Sequence, residues 1–230
     1  QRFLIDLIHG GTCRSLGARM SLLKILYHSL GNTMVPILLP YLKHENPRII
    51  ANTIEAMEPI NDPRIIEIIT PFLTHENRRV KGNAIIVLRK FHQTKNYCEN
   101  ALFELYNSKD VVDRNTFLYI VGRLRLKKYK KYLQNFTSNR AHKLNLALAY
   151  CKLEDQKGYE LFGNLLLYDE DMPIKNTLHH FSQLEDGIKL RVLSMYLTKI
   201  SNEKEKELLL NALKNSCFDF HEIRDHLKVS

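Results

Sequence analysis

Apolar and polar positions along this chain recur with the period of an α-helix. The clearest block places five largely apolar positions three and four residues apart: Ile49, Ile50, Thr53, Ile54 and Met57. Because Asn46 followed by Pro47 suits a helix cap and first turn, we expect a helix from about Pro47 to Glu58. The two-residue alternation of a half-buried strand is nowhere sustained.

A second helix is predicted directly after the turn Asn61-Asp62-Pro63. Its apolar residues cover nearly every side of the helix, at Ile65, Ile66, Ile68, Ile69, Phe72 and Leu73. A helix of this kind must be covered by neighbours, and one helical pair cannot supply enough of them. Stacked pairs can, so the pattern favours a repeated two-helix architecture.

An internal repeat supports this architecture. The segment 40–54 aligns with 71–85 at an offset of 31, with eight identities in fifteen positions. Five asparagines continue the period at intervals of 31, 32, 30 and 31 residues: Asn52, Asn83, Asn115, Asn145 and Asn176. Such periods are typical of solenoids. The predicted fold is all-α, an α-solenoid (superhelix) of about six to seven stacked two-helix repeats.

The repeat also resembles a known family. Residues 46–57 followed by 60–64 resemble the bacterial HEAT repeat of the phycobilisome-lyase-like kind, and residues 79–88 resemble it again. That consensus runs Asp-Pro, Val-Arg, an Ala-rich helix, Leu and a second Asp-Pro. Later turns carry Lys109-Asp110, Ser138-Asn139 and Met172-Pro173 instead.

The domain organisation follows from the same period. We expect a single HEAT-like solenoid domain over 1–230, with its clearest repeats in 31–91 and degenerate repeats or a cap over 186–230. Helical pairs are expected near the end, at Asp186–Ile200 and Asn202–Asn215. Since the chain opens Gln-Arg, we also expect a fragment of a longer protein.

The five asparagines form the first candidate site. In a solenoid they would stack about one repeat apart on the second helix of each pair. The resemblance implies a concave face where such rows hydrogen-bond the main chain of an extended peptide, and amides both donate and accept. The alternative is structural, with each asparagine bonding a carbonyl of the adjoining repeat.

The charge of the protein is concentrated in one block. The chain has 34 Lys and Arg against 25 Asp and Glu, a net charge of +9. Residues 114–153 contain ten basic residues and no acidic one, and removing them leaves 24 basic against 25 acidic residues. Eight of the ten make up the candidate basic patch: Arg123, Arg125, Lys127, Lys128, Lys130, Lys131, Arg140 and Lys143. An electrostatic partner is expected there.

Several partners would suit this patch. Residues 123–136 predict one helix with Leu126, Tyr129, Leu133 and Phe136 on its apolar face; the resemblance implies that it faces the convex side. The ten unopposed charges of residues 114–153 could bind nucleic acid phosphates, with Tyr129 and Tyr132 stacking on bases. An acidic protein, a peripheral anionic membrane contact and a solvated surface remain alternatives.

Metal and thiol chemistry have little support in the sequence. His44 and His75 recur one repeat apart in His-Glu-Asn turns, which favours capping over metal binding. His179-His180, near acidic residues 169–171, lacks ligand spacing. The four cysteines are Cys13, Cys98, Cys151 and Cys217, which form no CxxC pair, so we expect idle or buried thiols in a reducing cytoplasm.

The function that follows is non-catalytic. We expect a protein-protein interaction or scaffold module binding a protein or peptide along the concave helices, without cofactors. The chain lacks a glycine-rich phosphate loop, GxSxG and metal spacing. HEAT-like DNA glycosylases remain a remote alternative, but Trp is absent and the basic block has no carboxylate. No apolar run reaches the roughly 18–20 residues of a transmembrane helix, and 44% hydrophobic residues exclude wholesale disorder.

Overall fold

The computed structural model describes residues 31–167, 174–197 and 207. Every regular element in these ranges is helical and none is a strand, which confirms the all-α class. The α-helices are α1 (Met34–Leu38), α2 (Pro47–Ala56), α3 (Arg64–Ile69), α4 (Arg78–Leu88), α5 (Lys95–Asn107), α6 (Val111–Arg123), α7 (Lys130–Leu133), α8 (Lys143–Lys152), α9 (Gln156–Leu167), α10 (Ile174–Ser182) and α11 (Asp186–Leu197). Short 3-10 helices lie at Gly31–Thr33, Leu39–Lys43, Thr70–Thr74, His92–Thr94, Lys127–Tyr129, Gln134–Phe136 and Arg140–His142.

The chain divides into two compact units, residues 1–120 and 121–230. Helix α6 starts in the first unit and ends in the second. The single domain over 1–230 stays a prediction, and so do the solenoid arrangement and the number of repeats.

The His-Glu-Asn turns at 44–46 and 75–77 form the same structure twice. In each turn the histidine Nδ1 accepts a hydrogen bond from the asparagine backbone N–H at 2.9 Å. The asparagine Oδ1 then accepts from the N–H of Arg48 at 3.0 Å in one turn and of Arg79 at 3.1 Å in the other. These bonds satisfy donors that a helix start leaves unpaired. The predicted turn and capping role of the two histidine turns is confirmed.

Later helices begin with the same type of cap where the repeat sequence has diverged. The Asp110 side chain accepts from the N–H of Val112 at 2.7 Å, at the start of α6. Asn139 likewise accepts from the N–H of Ala141 at 2.9 Å, ahead of α8. As predicted, the Asp-Pro turns of the clearest repeats are replaced here by Lys109-Asp110 and Ser138-Asn139, which supply the helix caps.

The core of the first unit lies between helices that the repeat relates. Helix α2 packs against α4, and α4 also packs against the 3-10 helix Thr70–Thr74 and α5. The apolar positions that defined the pattern are fully buried, including Ile54 and its equivalent Ile85. Burying such a side chain stabilises the fold by about 1.5–3 kcal/mol. A Cβ added at Gly82 would lie 3.1 Å from Cγ2 of Thr116, so α4 and α6 approach closely.

The second unit has its own aromatic core. Residues from α8 to α11 are buried together: Ala147, Cys151, Tyr159, Phe162, Leu165, Phe181, Leu184, Ile188, Val192 and Leu193. The rings of Phe162 and Phe181 lie 5.8 Å apart. The predicted helix at 186–200 is observed as α11 over Asp186–Leu197, and 198–200 lie outside the described residues. Of the predicted helix at 202–215 the structure describes residue 207 alone, which is helical.

Helices α6 and α8 end in the same left-handed turn. Arg125 has φ 49° and Glu154 has φ 59°, the two non-glycine residues with positive φ in the described ranges. After α6, the N–H of Leu126 bonds the carbonyl of Val121, and after α8 the equivalent bond closes the turn around Glu154. This is the Schellman motif, in which glycine is the usual left-handed residue.

The left-handed turn at Arg125 corrects one prediction. Residues 123–136 do not form one helix, because α6 ends at Arg123 and the chain continues through Lys127–Tyr129, α7 and Gln134–Phe136. The apolar pattern is nevertheless a sound guide to burial, since Tyr129, Leu133 and Phe136 are all buried. The helical spacing of apolar residues therefore identified the buried side chains of this segment but not the end of α6 at Arg123.

Candidate interaction surfaces

The predicted asparagine row lies on the helices that follow each cap. Four of its members are half-buried: Asn52 in α2, Asn83 in α4, Asn115 in α6 and Asn145 in α8. Asn176 lies in α10, and its side chain lies outside the described part of the structure. The row spans both units: Asn52, Asn83 and Asn115 belong to the first, and Asn145 and Asn176 belong to the second.

Two asparagines of the first unit bond the neighbouring repeat. Nδ2 of Asn83 donates to the carbonyl of Ala51 in α2 at 2.8 Å. The Asn52 Oδ1 accepts a hydrogen bond from Nη2 of Arg79 in α4 at 2.7 Å. These contacts match the structural alternative, in which the amides join repeats; whether the row also binds a ligand stays a prediction.

Lys90 adds to this seam between repeats. Its Nζ donates to the carbonyl of Glu58 at 2.6 Å and to that of Ile60, both in the turn after α2. Burial lowers the pKa of Lys90, against the opposing effect of the Glu58 charge. The turn is thus held by the following repeat.

The capping residues show which positions of successive helices are equivalent, and these differ at one helix from the positions that the asparagine spacing predicts. Asn52, Asn83 and Asn145 each come six residues after their capping residue, whereas Asn115 comes five after Asp110. Thr116 therefore occupies the equivalent position in α6, in agreement with its approach to Gly82. The interval of 32 residues before Asn115 was the signal in the sequence.

We expect Asn83→Ala to lower the stability of the protein by about 1 kcal/mol, because the Ala51 carbonyl loses its side-chain donor. Asn100→Ala is the control, since Asn100 is exposed within α5. Thermal melts of the two variants should differ by a few degrees, with Asn100→Ala close to the parent. Equal melting temperatures would mean that the Asn83 amide does not join the repeats.

Helix α6 exposes apolar side chains beside this row. The described residues include five exposed large hydrophobic side chains, at Leu39, Tyr97, Val111, Val112 and Tyr119. Three of the five belong to α6, with Val112 45% and Tyr119 49% exposed. Their seven-residue separation places Val112 and Tyr119 two helical turns apart on one face. We call Val112, Thr116 and Tyr119 the α6 stripe.

The sequence alone did not indicate this stripe. The cap at Asp110 was the signal that could have found it, because this cap fixes which residues of α6 align with half-buried Asn52 and Asn83.

The predicted basic patch lies at the surface of the second unit. Seven of its residues are exposed: Arg123, Arg125, Lys127, Lys128, Lys130, Lys131 and Arg140. Lys143, the eighth, is half-buried at the start of α8. The patch therefore presents cations on a segment whose apolar side chains point into the unit.

The sequence predicted that the charges of this patch are unopposed. The structure shows that two of them are paired with carboxylates. Arg125 lies 3.2 Å from Glu154 and 2.5 Å from Glu185, which accepts through both oxygens. Lys130 pairs with Asp155. The hydrogen bond from Arg125 lowers the pKa of Glu185, and Asp155 raises that of Lys130. The prediction failed because all three carboxylates lie beyond the acid-free segment.

Two lysines of the patch lie over tyrosine rings. Nζ of Lys128 is 4.9 Å from the ring centre of Tyr129, and Nζ of Lys131 is 5.1 Å from that of Tyr132. Tyr129 is buried and Tyr132 half-buried. A lysine ammonium therefore lies over one face of each ring that was predicted to stack on a nucleic acid base.

Thiol and metal sites do not emerge from the described residues. Cys98 and Cys151 are buried and free, and burial raises the pKa of Cys151 to about 12, which keeps its thiol protonated. Cys13 and Cys217 lie outside the described residues. Burial, with His179 and Lys152 nearby, lowers the pKa of His180. Within ranges 31–167 and 174–197, no group of three potential ligands could hold a metal ion.

No protein-family model matches this chain, and no curated protein matches it at a significant level. In the part of the chain that the structure describes, no helix is both long and apolar enough to cross a membrane.

Proposed function

We propose that this chain is a HEAT-like α-solenoid that acts as a non-catalytic interaction or scaffold module in the cytoplasm. It binds a protein or peptide along the surface of the cap-bearing helices α2, α4 and α6. It uses no cofactor, and its partner contacts centre on the α6 stripe. The repeated caps and the packing of α2 on α4 support the repeat assignment.

One observation carries the proposal. Three of the five exposed large apolar side chains of the described residues lie on α6, and the other two lie one each in the 3-10 helix Leu39–Lys43 and in α5. An apolar contact at the centre of a polar surface is the usual source of binding energy in protein interfaces. Half-buried amides and Arg79 on the preceding helices supply the polar surroundings.

The asparagine row has a secondary role in this proposal. Asn83 already donates to Ala51, so its amide has less capacity left for a bound main chain. We therefore assign the main contribution to affinity to Val112 and Tyr119, and assign joining of the repeats to Asn83.

Affinity capture from the native organism tests the proposal. The bait is the full chain, compared with a Val112→Ala, Tyr119→Ala double variant and with Tyr97→Ala, whose tyrosine is 61% exposed on α5. The double variant should bind its partner at least about tenfold more weakly, with an unchanged melting temperature. Equal capture by all three baits would contradict the proposal.

A further inference from the structure

We propose that the segment which binds the α6 stripe is an extended peptide that also carries an acidic side chain, about five or six residues from its apolar contact, which binds Arg48. This inference rests on the proposed function, because it names the partner of that same surface. It assigns the polar end of the surface to α2 and the apolar end to α6.

The helix caps place Arg48, Arg79 and Val112 at equivalent positions of α2, α4 and α6. In each helix, the residue two positions after the capping residue donates its backbone N–H to the capping side chain, at 3.0, 3.1 and 2.7 Å. The side chains of all three residues are exposed. Equivalent positions of stacked repeats lie in one line, so this line runs from two arginines to an apolar residue.

The three helices form one continuous surface within the first unit. Helix α2 packs against α4, and a Cβ added at Gly82 of α4 would lie 3.1 Å from Cγ2 of Thr116 in α6. The positions nine residues after the caps change in the same direction, from half-buried Glu55 in α2 to Tyr119 in α6, which is 49% exposed. One end of the surface is therefore charged and the other end is apolar.

The arginines determine the charge of the segment that complements this surface. A guanidinium group binds a carboxylate through two parallel hydrogen bonds. Nη2 of Arg79 already donates to Oδ1 of Asn52 at 2.7 Å and lies 4.0 Å from a carboxylate oxygen of Glu55. We therefore assign the partner's carboxylate to Arg48, at the end of the line farthest from the α6 stripe.

The side chains between the two ends favour an extended partner. Asn52, Asn83 and Thr116 are half-buried there, at the position six residues after each cap. Amide and hydroxyl groups of this kind bond a main chain whose N–H and C=O groups are available, as in an extended peptide. The main chain of a bound helix is already paired within the helix.

The spacing of the helices sets the separation of the two contacts. Packed helices have axes about 8–10 Å apart, so Arg48 and Val112, two helices apart in the line, are separated by about 16–20 Å. An extended chain advances about 3.3 Å per residue, which corresponds to about five or six residues. A helical partner would need roughly 11–13 residues for the same distance.

The first test selects peptides from a random phage-displayed library on the parent full chain at low salt. We expect the enriched peptides to share an apolar residue and an Asp or Glu about five or six positions away. A separation of roughly 11–13 positions would contradict the extended partner. Apolar enrichment without an acidic residue would overturn the inference, and so would the absence of any enriched peptide.

The second test measures the affinity of the most enriched peptide, made synthetically, for variants of the full chain. Arg48→Gln should bind it about threefold to fivefold more weakly at low salt. The control is Lys95→Gln, which removes the same charge from an exposed residue of α5 and should bind like the parent. Equal affinities of the two variants would contradict the contact with Arg48.

The Val112→Ala, Tyr119→Ala double variant separates this inference from the proposed function. If the double variant binds the peptide at least about tenfold more weakly while Arg48→Gln binds like the parent, the α6 stripe is the binding surface and the acidic contact is wrong. If the double variant binds like the parent, the peptide does not bind the α6 stripe, which contradicts the proposed function together with this inference.

Discussion

Gly158→Ala is expected to destabilise the protein by about 3 kcal/mol or more. A Cβ at this position would lie 2.3 Å from the backbone nitrogen of Cys151 and 2.6 Å from the carbonyl carbon of Tyr150. Both contacts are with backbone, so no side chain can rotate away. The start of α9 would have to move off the end of α8, and a thermal melt should fall by about 10 °C.

Gly187→Ala is the matched control for this change. Gly187 lies in the first turn of α11, and nothing lies within 4 Å of a Cβ built there. Alanine is the better helix former, so this variant should be as stable as the parent or more stable, by up to about 1 kcal/mol. If both glycine variants melted alike, the close packing of α8 and α9 would be wrong.

Phe162→Ala is expected to lower the free energy of unfolding by about 3–5 kcal/mol. Phe162 is fully buried in the core of the second unit and packs against Phe181. Removing the ring forfeits its burial and leaves a cavity that the surrounding helices fill only in part. Chemical denaturation measured by circular dichroism provides the test.

Tyr97→Ala serves as the aromatic control for Phe162→Ala. Tyr97 is 61% exposed, so its replacement should change the free energy of unfolding by no more than about 0.5 kcal/mol. A loss near that value at Phe162 would show that the aromatic core of the second unit is not formed as described.

Local signals made most of the helices and their starts predictable. The helix from Pro47, the caps at Asn46 and Asn77, and the stand-in caps at Asp110 and Asn139 all follow from short-range chemistry. A cap needs only a side-chain oxygen two or three residues before the N–H that it accepts from. Such contacts are encoded within one turn of chain.

Long-range contacts explain what the sequence did not predict. Arg125 adopts a conformation that favours glycine, and the carboxylate that it holds is Glu185, sixty residues away. The spacing of apolar residues indicates which face of a helix is buried, but it does not indicate where a left-handed residue ends the helix. The charge block looked unopposed for the same reason, since its carboxylates come from other turns.

The α6 stripe was not predicted because the spacing of the asparagines and the helix cap give different registers for α6. The repeat of asparagines pointed to Asn115, whereas the cap at Asp110 sets the register of α6 one residue later, at Thr116. A shift of one residue rotates a helix face by about 100°. Val112 and Tyr119 consequently lie at the surface.

Hydrogen exchange on the full chain, alone and with the captured partner, tests the central claim most directly. We predict that the partner slows exchange of the backbone amides of α6 around Val112 and Tyr119 and leaves α11 unchanged. Slowed exchange elsewhere, with no change in α6, would contradict the assignment of the binding surface to this helix.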